Sequence, residues 1–588
     1  MSSRSSSGLD RLPTELISRI FGFSHLSDHF NLARTSRRLA ECAKPTLKRH
    51  QIAHRENSLV SDLDPSTIPS LLRKITKDPF VAWHVRSIEI WGTRYDWSQW
   101  RPFDLEGPGS LPDGVMELYR WSDAFQQTTP LEWVLSPEEL STYLDLLKSH
   151  GHLSPRELGK AQTSFLKGKD DFYKVLLFLL CPRLNRFKLV HVQDFGVLSN
   201  INCMLNSLSK IIVRSWRQAS WAPGLASLRE IVIGAKSGTW LDGQSMVGLY
   251  PGRIYRSIMM LPGLKSVYLW GADIIHEFET DCIDDADEVS LENLVGGSSV
   301  EHLFLDHFSE STHPLLLESV LLFIQIPRAL KTLAIRNGFS HGETKLPHQA
   351  MFATMIHLGK SLESLIIYDD NEYQSLDVWR FYTGGPMSAL SPHLTNISIN
   401  INDVTFTKRM GFGGDQETIR DLWSDPAERH NCFTYIERSF PKSLEVLLLS
   451  NRLPHKGTVD MKIMEDLLIF LIEDGLCPRL KAIHIQQHPK SSRWYRKYAF
   501  SRLAEVGWDH GVDVHVRSNP HRPRYQVVFP QPPMLDTIDQ LEPRDGSDGK
   551  VFDPFTGHWV SEDEYEEDED EGKEGEEDEK VDTDLEDR

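Results

Sequence analysis

The 588-residue sequence predicts a mixed α/β chain. A small helical unit comes first, then a long body in which helices alternate with short parallel strands, then an acidic tail that cannot build a core. Three observations carry this reading. Residues 9–50 place apolar side chains at helical spacing. A motif of the form apolar-x-x-apolar-x-apolar recurs ten times from Val85 to Leu480. Of the last 28 residues, 18 are Asp or Glu.

The Ser-rich start, residues 1–8, is expected to be disordered. Leu12-Pro13-Thr14-Glu15 then reads as a helix start, because a proline in the first turn gives up an N–H that would have no partner there. Leu16, Ile20 and Phe23 recur at spacings of four and three and form one apolar stripe. A second helix-compatible run holds Phe30, Leu32, Ala33, Leu39 and Ala43, and Pro45 is expected to end it or to begin a new turn. Two or three short helices of this size cannot bury a sufficient core alone, so their apolar faces call for a partner.

Leu12-Pro13, Glu15-Leu16, Ile20, Leu32-Ala33 and Ser36-Arg37-Arg38-Leu39 follow the order and spacing of an F-box, which residues 9–50 resemble. Ser24 and His29 stand where that family usually has leucines. The resemblance, to F-box proteins of fungal type, implies a Skp-type adaptor carried on a cullin scaffold. The implied adaptor contacts are Leu12, Pro13, Glu15, Leu16, Ile20, Phe21 and Leu32. Read without the family, the same helices could be a cap on the following domain.

Residues 51–80 are expected to be a helical linker, and 81–520 a repeat array. The motif reads VRSIEI at Val85, LNRFKL at Leu184, LREIVI at Leu228, LKSVYL at Leu264, VEHLFL at Val300, LKTLAI at Leu330, LESLII at Leu362, LTNISI at Leu394, LEVLLL at Leu444 and LKAIHI at Leu480. From Leu184 the steps are 44, 36, 36, 30, 32, 32, 50 and 36 residues. Helical stretches lie between, such as MKIMEDLLIFLIEDG from Met461, where Gly475 supplies a stop. Helix, short turn and short strand make a unit that buries its face only by stacking on a neighbour. The body thus resembles an irregular leucine-rich-repeat solenoid, and an ordinary α/β domain with parallel strands is the other reading. The asparagine usual at the ninth position is nearly absent: Asn402 matches and Asp370 substitutes in part. The first, fourth and sixth motif positions are expected to point inward.

One stretch, 91–170, breaks the period and holds Trp91, Trp97, Trp100, Trp121 and Trp133. These indoles are expected to pack the junction between the helical unit and the repeats; exposure for binding is the sharper alternative. On the repeats, the third, fifth and seventh positions would line a concave face. Large aromatics on a polar surface mark binding sites, which makes Tyr268, Trp270, Phe304, Asp306, Arg336 and Tyr368 the candidate contacts for a target protein.

Beyond the repeats, 521–560 is rich in Pro and charge. Within it VFDPFTGHWV, 551–560, is an apolar island that either docks back on the body or is a linker remnant. The tail, 561–588, carries 18 acids against 3 bases and so −15 of the net −20; disorder is expected. The remaining charge is near balance, which argues against nucleic acid. No apolar run approaches a membrane span, and MSSRSSSG has no apolar signal core. Six scattered cysteines without a CxxC pair fit the reducing cytoplasm or nucleus and argue against a zinc module. GFGGD at 411–415 lacks the Lys of a phosphate loop, and no GxSxG elbow occurs. His484 and His488 are four apart but fall on a strand and loop, where they do not converge on an ion. No catalytic residue, metal or cofactor is expected, so the chain reads as a non-enzyme. The implied role is the substrate-recognition subunit of a Skp-cullin-F-box ubiquitin ligase, with a repeat scaffold unconnected to ubiquitin as the alternative.

Overall fold

In a computed structural model of the chain, the residues described are 8–101, 133–190, 198–235, 250–270, 272–273, 289–308, 322–337, 361–369, 393–400, 426–427, 430, 440–450, 458–486, 500–517, 550–553 and 558–561. Trp121 and the tail beyond 561 lie outside them. The helices are α1 (Thr14–Phe23), α2 (Asp28–Ala33), α3 (Arg37–Asn57), α4 (Thr67–Lys77), α5 (Pro79–Ala82), α6 (Pro137–Gly151), α7 (Pro155–Lys167), α8 (Asp171–Leu180), α9 (Leu198–Gln218), α10 (Pro223–Ser227), α11 (Gly252–Ile258), α12 (Thr458–Glu473) and α13 (Ser501–His510). The strands are β1 (Leu59–Ser61), β2 (Ser87–Ile90), β3 (Arg186–Val190), β4 (Glu230–Ala235), β5 (Tyr250–Pro251), β6 (Ser266–Trp270), β7 (Ala272–Asp273), β8 (His302–Phe308), β9 (Thr332–Asn337), β10 (Ser364–Asp369), β11 (Asn396–Asn400), β12 (Val446–Ser450), β13 (Ala482–Gln486), β14 (Asp513–Arg517), β15 (Lys550–Asp553) and β16 (His558–Ser561).

Twelve strands form one sheet in chain order, β1-β2-β3-β4-β6-β8-β9-β10-β11-β12-β13-β14, and every neighbouring pair is parallel. Parallel neighbours need a crossover, and in this chain much of it is helical. β5 with β7 and β15 with β16 make two small separate sheets. The sheet starts earlier than the sequence reading placed it: β1 lies in the expected helical linker and pairs with β2.

Motif positions one, four and six are the core. Leu264, Val267 and Leu269 are buried, as are Val300, Leu303 and Leu305, Leu330, Leu333 and Ile335, and Leu444, Leu447 and Leu449. They belong to one continuous cluster that also takes in α8, α9 and α12. Between layers runs a spine of backbone carbonyls at the second motif position. The Arg86 carbonyl accepts from the N–H groups of Asn185 (2.7 Å) and Arg186 (3.0 Å), and Asn185 in turn accepts from Arg229 and Glu230. The pattern repeats through Arg229, Lys265, Glu301, Lys331, Glu363, Thr395 and Glu445 to Lys481, which accepts from Asp513. Where an asparagine ladder was missing, serines before the motif do part of its work. Ser227, Ser299, Ser361 and Ser443 donate their hydroxyls to the carbonyls of Leu184, Leu264, Leu330 and Leu394, at 2.7, 2.9, 2.8 and 2.8 Å. Each bond satisfies a carbonyl that the strand pairing leaves over.

The Trp-rich stretch is more regular than expected, because α6 and α7 fall within it. Both begin with a capping box, Ser136 with Glu139 and Ser154 with Glu157, preceded in each case by the signal S-P-x-E. Trp91 and Trp100 are buried, and Trp97 and Trp133 pack partly buried against the core. Trp100 donates from Nε1 to the Gly168 carbonyl at 2.6 Å, and Trp97 to the Leu166 carbonyl at 3.1 Å. Gly168 has φ +80°, and a Cβ there would sit 2.5 Å from the Trp97 ring.

Beneath these indoles lies a buried ionic cluster. Lys174, 1% exposed at its side chain, sets Nζ 2.7 Å from Asp170 and 2.9 Å from Asp62, and donates to the Gly92 carbonyl at 2.6 Å. Arg94 lies 3.6 Å from Asp170 and donates to the Leu63 carbonyl at 3.2 Å. Burial works against the Lys174 ammonium, but the two carboxylates prevail and raise its pKa. Three elements far apart in the chain meet on this one cation. Removing it strands two carboxylates in a dry site, so Lys174→Ala is expected to cost roughly 3–5 kcal/mol of stability, read by denaturant unfolding. A loss within the ~0.5 kcal/mol of an ordinary surface substitution contradicts the assignment.

Candidate protein-docking site

Helix α1 has two apolar faces. Ile17 and Phe21, four apart, are buried with Ala33, Leu39 and Ala43 in a small core of their own. The stripe read from the sequence is the neighbouring face, turned about 110° from the first. Leu16 is 43% exposed and Phe23 89%, Leu12 and Ile20 are half-buried, and together with Arg19 and Ser24 they line a shallow groove. Pro13 and Glu15 are exposed at its N-terminal end, and Leu32 on α2 is half-buried. Phe21 is 1% exposed and therefore holds the helices together; it is not free to meet a partner, as the sequence reading had it. Two residues of helix turn about 200°, which puts Phe23 outward where Phe21 points in. Phe30 on α2, 62% exposed, is a further surface aromatic absent from the expected contacts.

Local bonds set this geometry. Ser36 caps α3 by accepting from the Leu39 N–H, which breaks the second helical run in two. Arg38 donates to the Leu12 carbonyl at 2.7 Å and ties α3 to the loop before α1. Pro45, expected to end a helix, lies inside α3, which continues to Asn57. Leu39, Ala43, Ala53 and Asn57 are buried along it, and that packing offsets the roughly 3 kcal/mol a mid-helix proline costs.

The two departures from the leucine pattern have structural roles. Ser24 donates from Oγ to the Ile20 carbonyl at 2.6 Å and closes α1. His29 is buried and begins a chain of imidazoles. Its Nε2 lies 3.3 Å from the Ser24 carbonyl, its Nδ1 2.9 Å from His50 Nε2, and His50 Nδ1 2.9 Å from His84 Nε2. A carbonyl only accepts, so His29 carries its proton on Nε2 and accepts at Nδ1; His50 and His84 follow with the same tautomer. Each link needs an acceptor nitrogen, so the bond from His84 to His50 holds only while the His50 ring is neutral; His84 Nδ1 is buried without a partner among the described residues, and a proton added there would be unsatisfied. Phe80 packs on His50 and His84, Arg49 lies over Phe80 and reaches Asp78, and His25 meets Trp83 edge-on. The helical unit is thus seated on α5 through aromatic and imidazole contacts.

The strand face expected to meet a target differs from the reading. Tyr268 is 1% exposed and stacks on half-buried Phe304, ring centroids 4.9 Å apart. Val232, Ala334, Ile366 and Leu448, also at fifth positions, are buried as well. From β4 to β10 this row is apolar, and Tyr268 is not an exposed anchor. Backbone register sets Trp270 beside Asp306 and Tyr368 beside Arg336; their side chains are outside the described residues. His484 stacks on His515 of the neighbouring strand at 4.7 Å, while His488 lies outside the described residues. Among the described residues no three His, Cys, Asp or Glu side chains cluster as a metal site.

With this geometry in hand, the family comparison is specific: residues 9–52 match the F-box-like family model. No curated protein is significantly similar to the chain.

The imidazole chain makes stability pH-dependent. Burial first, then the charges of His29, Arg49 and Arg183, lowers His50 to about 4; burial, then His50, Arg86, His54 and Arg183, lowers His84 to about 4. An unfolded histidine titrates near 6.5, so between about 4 and 6.5 the unfolded chain binds more protons. Stability conferred by the neutral rings is complete above about 6.5 and is lost as pH falls toward 4. The thermal midpoint of the full chain is expected to drop between pH 6.5 and 5, with a flatter dependence in His84→Phe. Equal slopes in the two proteins contradict the neutral-ring assignment.

Proposed function

We propose that this chain is the substrate-recognition subunit of a Skp-cullin-F-box ubiquitin ligase. The F-box-like domain supports the general role, and one observation carries the docking site within it: α1 buries Ile17 and Phe21 in its own unit and leaves Leu12, Leu16, Ile20 and Phe23 as an open apolar groove. An exposed apolar stripe on an otherwise tightly packed unit is the mark of a surface waiting for a partner. Helix-on-helix docking of a Skp-type adaptor would cover it, with the cullin scaffold held through the adaptor.

The body is read as a leucine-rich-repeat-like solenoid that holds a target protein. Twelve parallel strands in chain order support that reading, since such a sheet grows by repetition and presents one long edge of loops. Trp270, Asp306, Arg336 and Tyr368 remain the candidate target contacts, and Phe304, half-buried, borders them. The chain supplies no reacting group in this scheme. It raises the concentration of target near the ubiquitin-loaded enzyme by tethering both to one assembly.

The test separates docking from folding. Leu16→Asp with Phe23→Asp is expected to weaken adaptor binding at least about tenfold, by titration calorimetry with a Skp-type adaptor, with little change in thermal midpoint. Phe21→Ala is expected to destabilise the helical unit by roughly 3–5 kcal/mol. Equal adaptor binding by wild type and the double variant, or none by either, contradicts the ligase reading and leaves the repeat scaffold in its place.

A further inference from the structure

The two ends of the sheet are finished differently. At the start, Ser58, the residue after α3, joins the carbonyl spine and α4 packs its apolar side on the first layer. At the other end β14 has a strand on one side only among the described residues. Val514 and Val516 are in register with Ile483 and Ile485, both fully buried, yet Val514 is only half-buried and Val516 is 36% exposed. On α13, which covers this layer, Trp508 is 83% exposed. A repeat array needs its last layer capped, and a bare strand edge invites another strand.

The same chain carries a candidate cap. β15 and β16 pair antiparallel, with Val551 opposite Val560 and Phe552 opposite Trp559. A two-stranded hairpin is marginal in water unless it packs on something. It follows β14 by 32 residues, 518–549, a connection that reaches about 100 Å when extended and so spans any approach to that edge. We propose that β15 and β16, which among the described residues pair only with each other, dock as the C-terminal cap of the sheet, adding to the outer edge of β14 and covering Trp508 and Val516. Among the described residues the outer edge of the layer has no strand partner and Val516 and Trp508 stay exposed; the hairpin offers a strand and needs a surface. The acidic stretch after 561 would then leave the body from its capped end.

Hydrogen exchange on the full chain tests this in both directions. Phe552→Asp with Trp559→Asp is expected to speed exchange of the β14 amides at least about tenfold, and Trp508→Ala to do the same for amides of 550–561. The two variants alter opposite sides of one contact, so local misfolding of either does not imitate the reciprocal result. Unchanged exchange on both sides overturns the proposal. Protection of 501–517 that survives the hairpin variant and fades on dilution also overturns it, and would assign the edge to a second copy of the chain.

Discussion

One backbone feature fixes almost everything else: the carbonyl spine that passes from layer to layer at the second motif position. From Ser58 to Glu445 each carbonyl accepts two N–H groups from the next layer, and Lys481 accepts one, so each strand start is held to the one before it. The first member is Ser58, whose carbonyl takes the N–H groups of Arg86 and Ser87, both at 2.9 Å. Ser58 directly follows the long helix α3, which packs the other helices of the N-terminal unit. The docking helices and the sheet therefore share one continuous hydrogen-bonded frame. Irregular step lengths leave the spine intact: the 50-residue step from Leu394 to Leu444 keeps the same paired N–H groups as the 30-residue step from Val300 to Leu330.

A second constraint closes the junction. Apolar contacts alone would let the helical unit slide on the body, since they lack direction. The imidazole chain is directional and crosses from α2 and α3 to the end of α5, while the buried Lys174 cluster fixes the first layers of the body to each other. Lys174, fully buried, joins the ends of β1 and β2 to α8. Such a cluster adds little net stability over an apolar one but tolerates one arrangement only. Under the proposed function, which holds a partner at a set distance from an enzyme, a fixed junction matters more than a stable one.

Legibility in the sequence followed the range of the interaction. The strands and their inward positions were readable because the apolar period is local, as was the exposed stripe of Leu16 and Ile20 on α1. The serines before Leu228, Val300, Leu362 and Leu444 were equally visible beside the motif and could have replaced the absent asparagines in the reading. Phe21 and Phe23 were harder, since either could face inward until the positions of Ala33, Leu39 and Ala43 are known. Pro45 misled because a local rule yielded to packing along α3. The His29, His50 and His84 chain and the meeting of Asp62 with Lys174 depend on residues distant in sequence, and no spacing announces them. Tyr268 misled for a different reason: the fifth positions were read one strand at a time as a polar surface with aromatics, while from β4 to β10 the row Val232, Tyr268, Phe304, Ala334 and Ile366 is apolar across neighbouring strands.

The account joins a groove on α1, a rigid junction and a repetitive sheet into a device for bringing one protein to another. Its central claim is that what the sheet holds is turned over through what α1 docks. The direct measurement is protein half-life across cells carrying either the wild-type chain or the Leu16→Asp, Phe23→Asp chain, alongside the proteins that co-purify with each. The account predicts proteins that co-purify with both forms and live longer when the groove is disabled. If the adaptor is lost from the variant while no co-purifying protein changes its half-life, the link between docking and turnover is wrong.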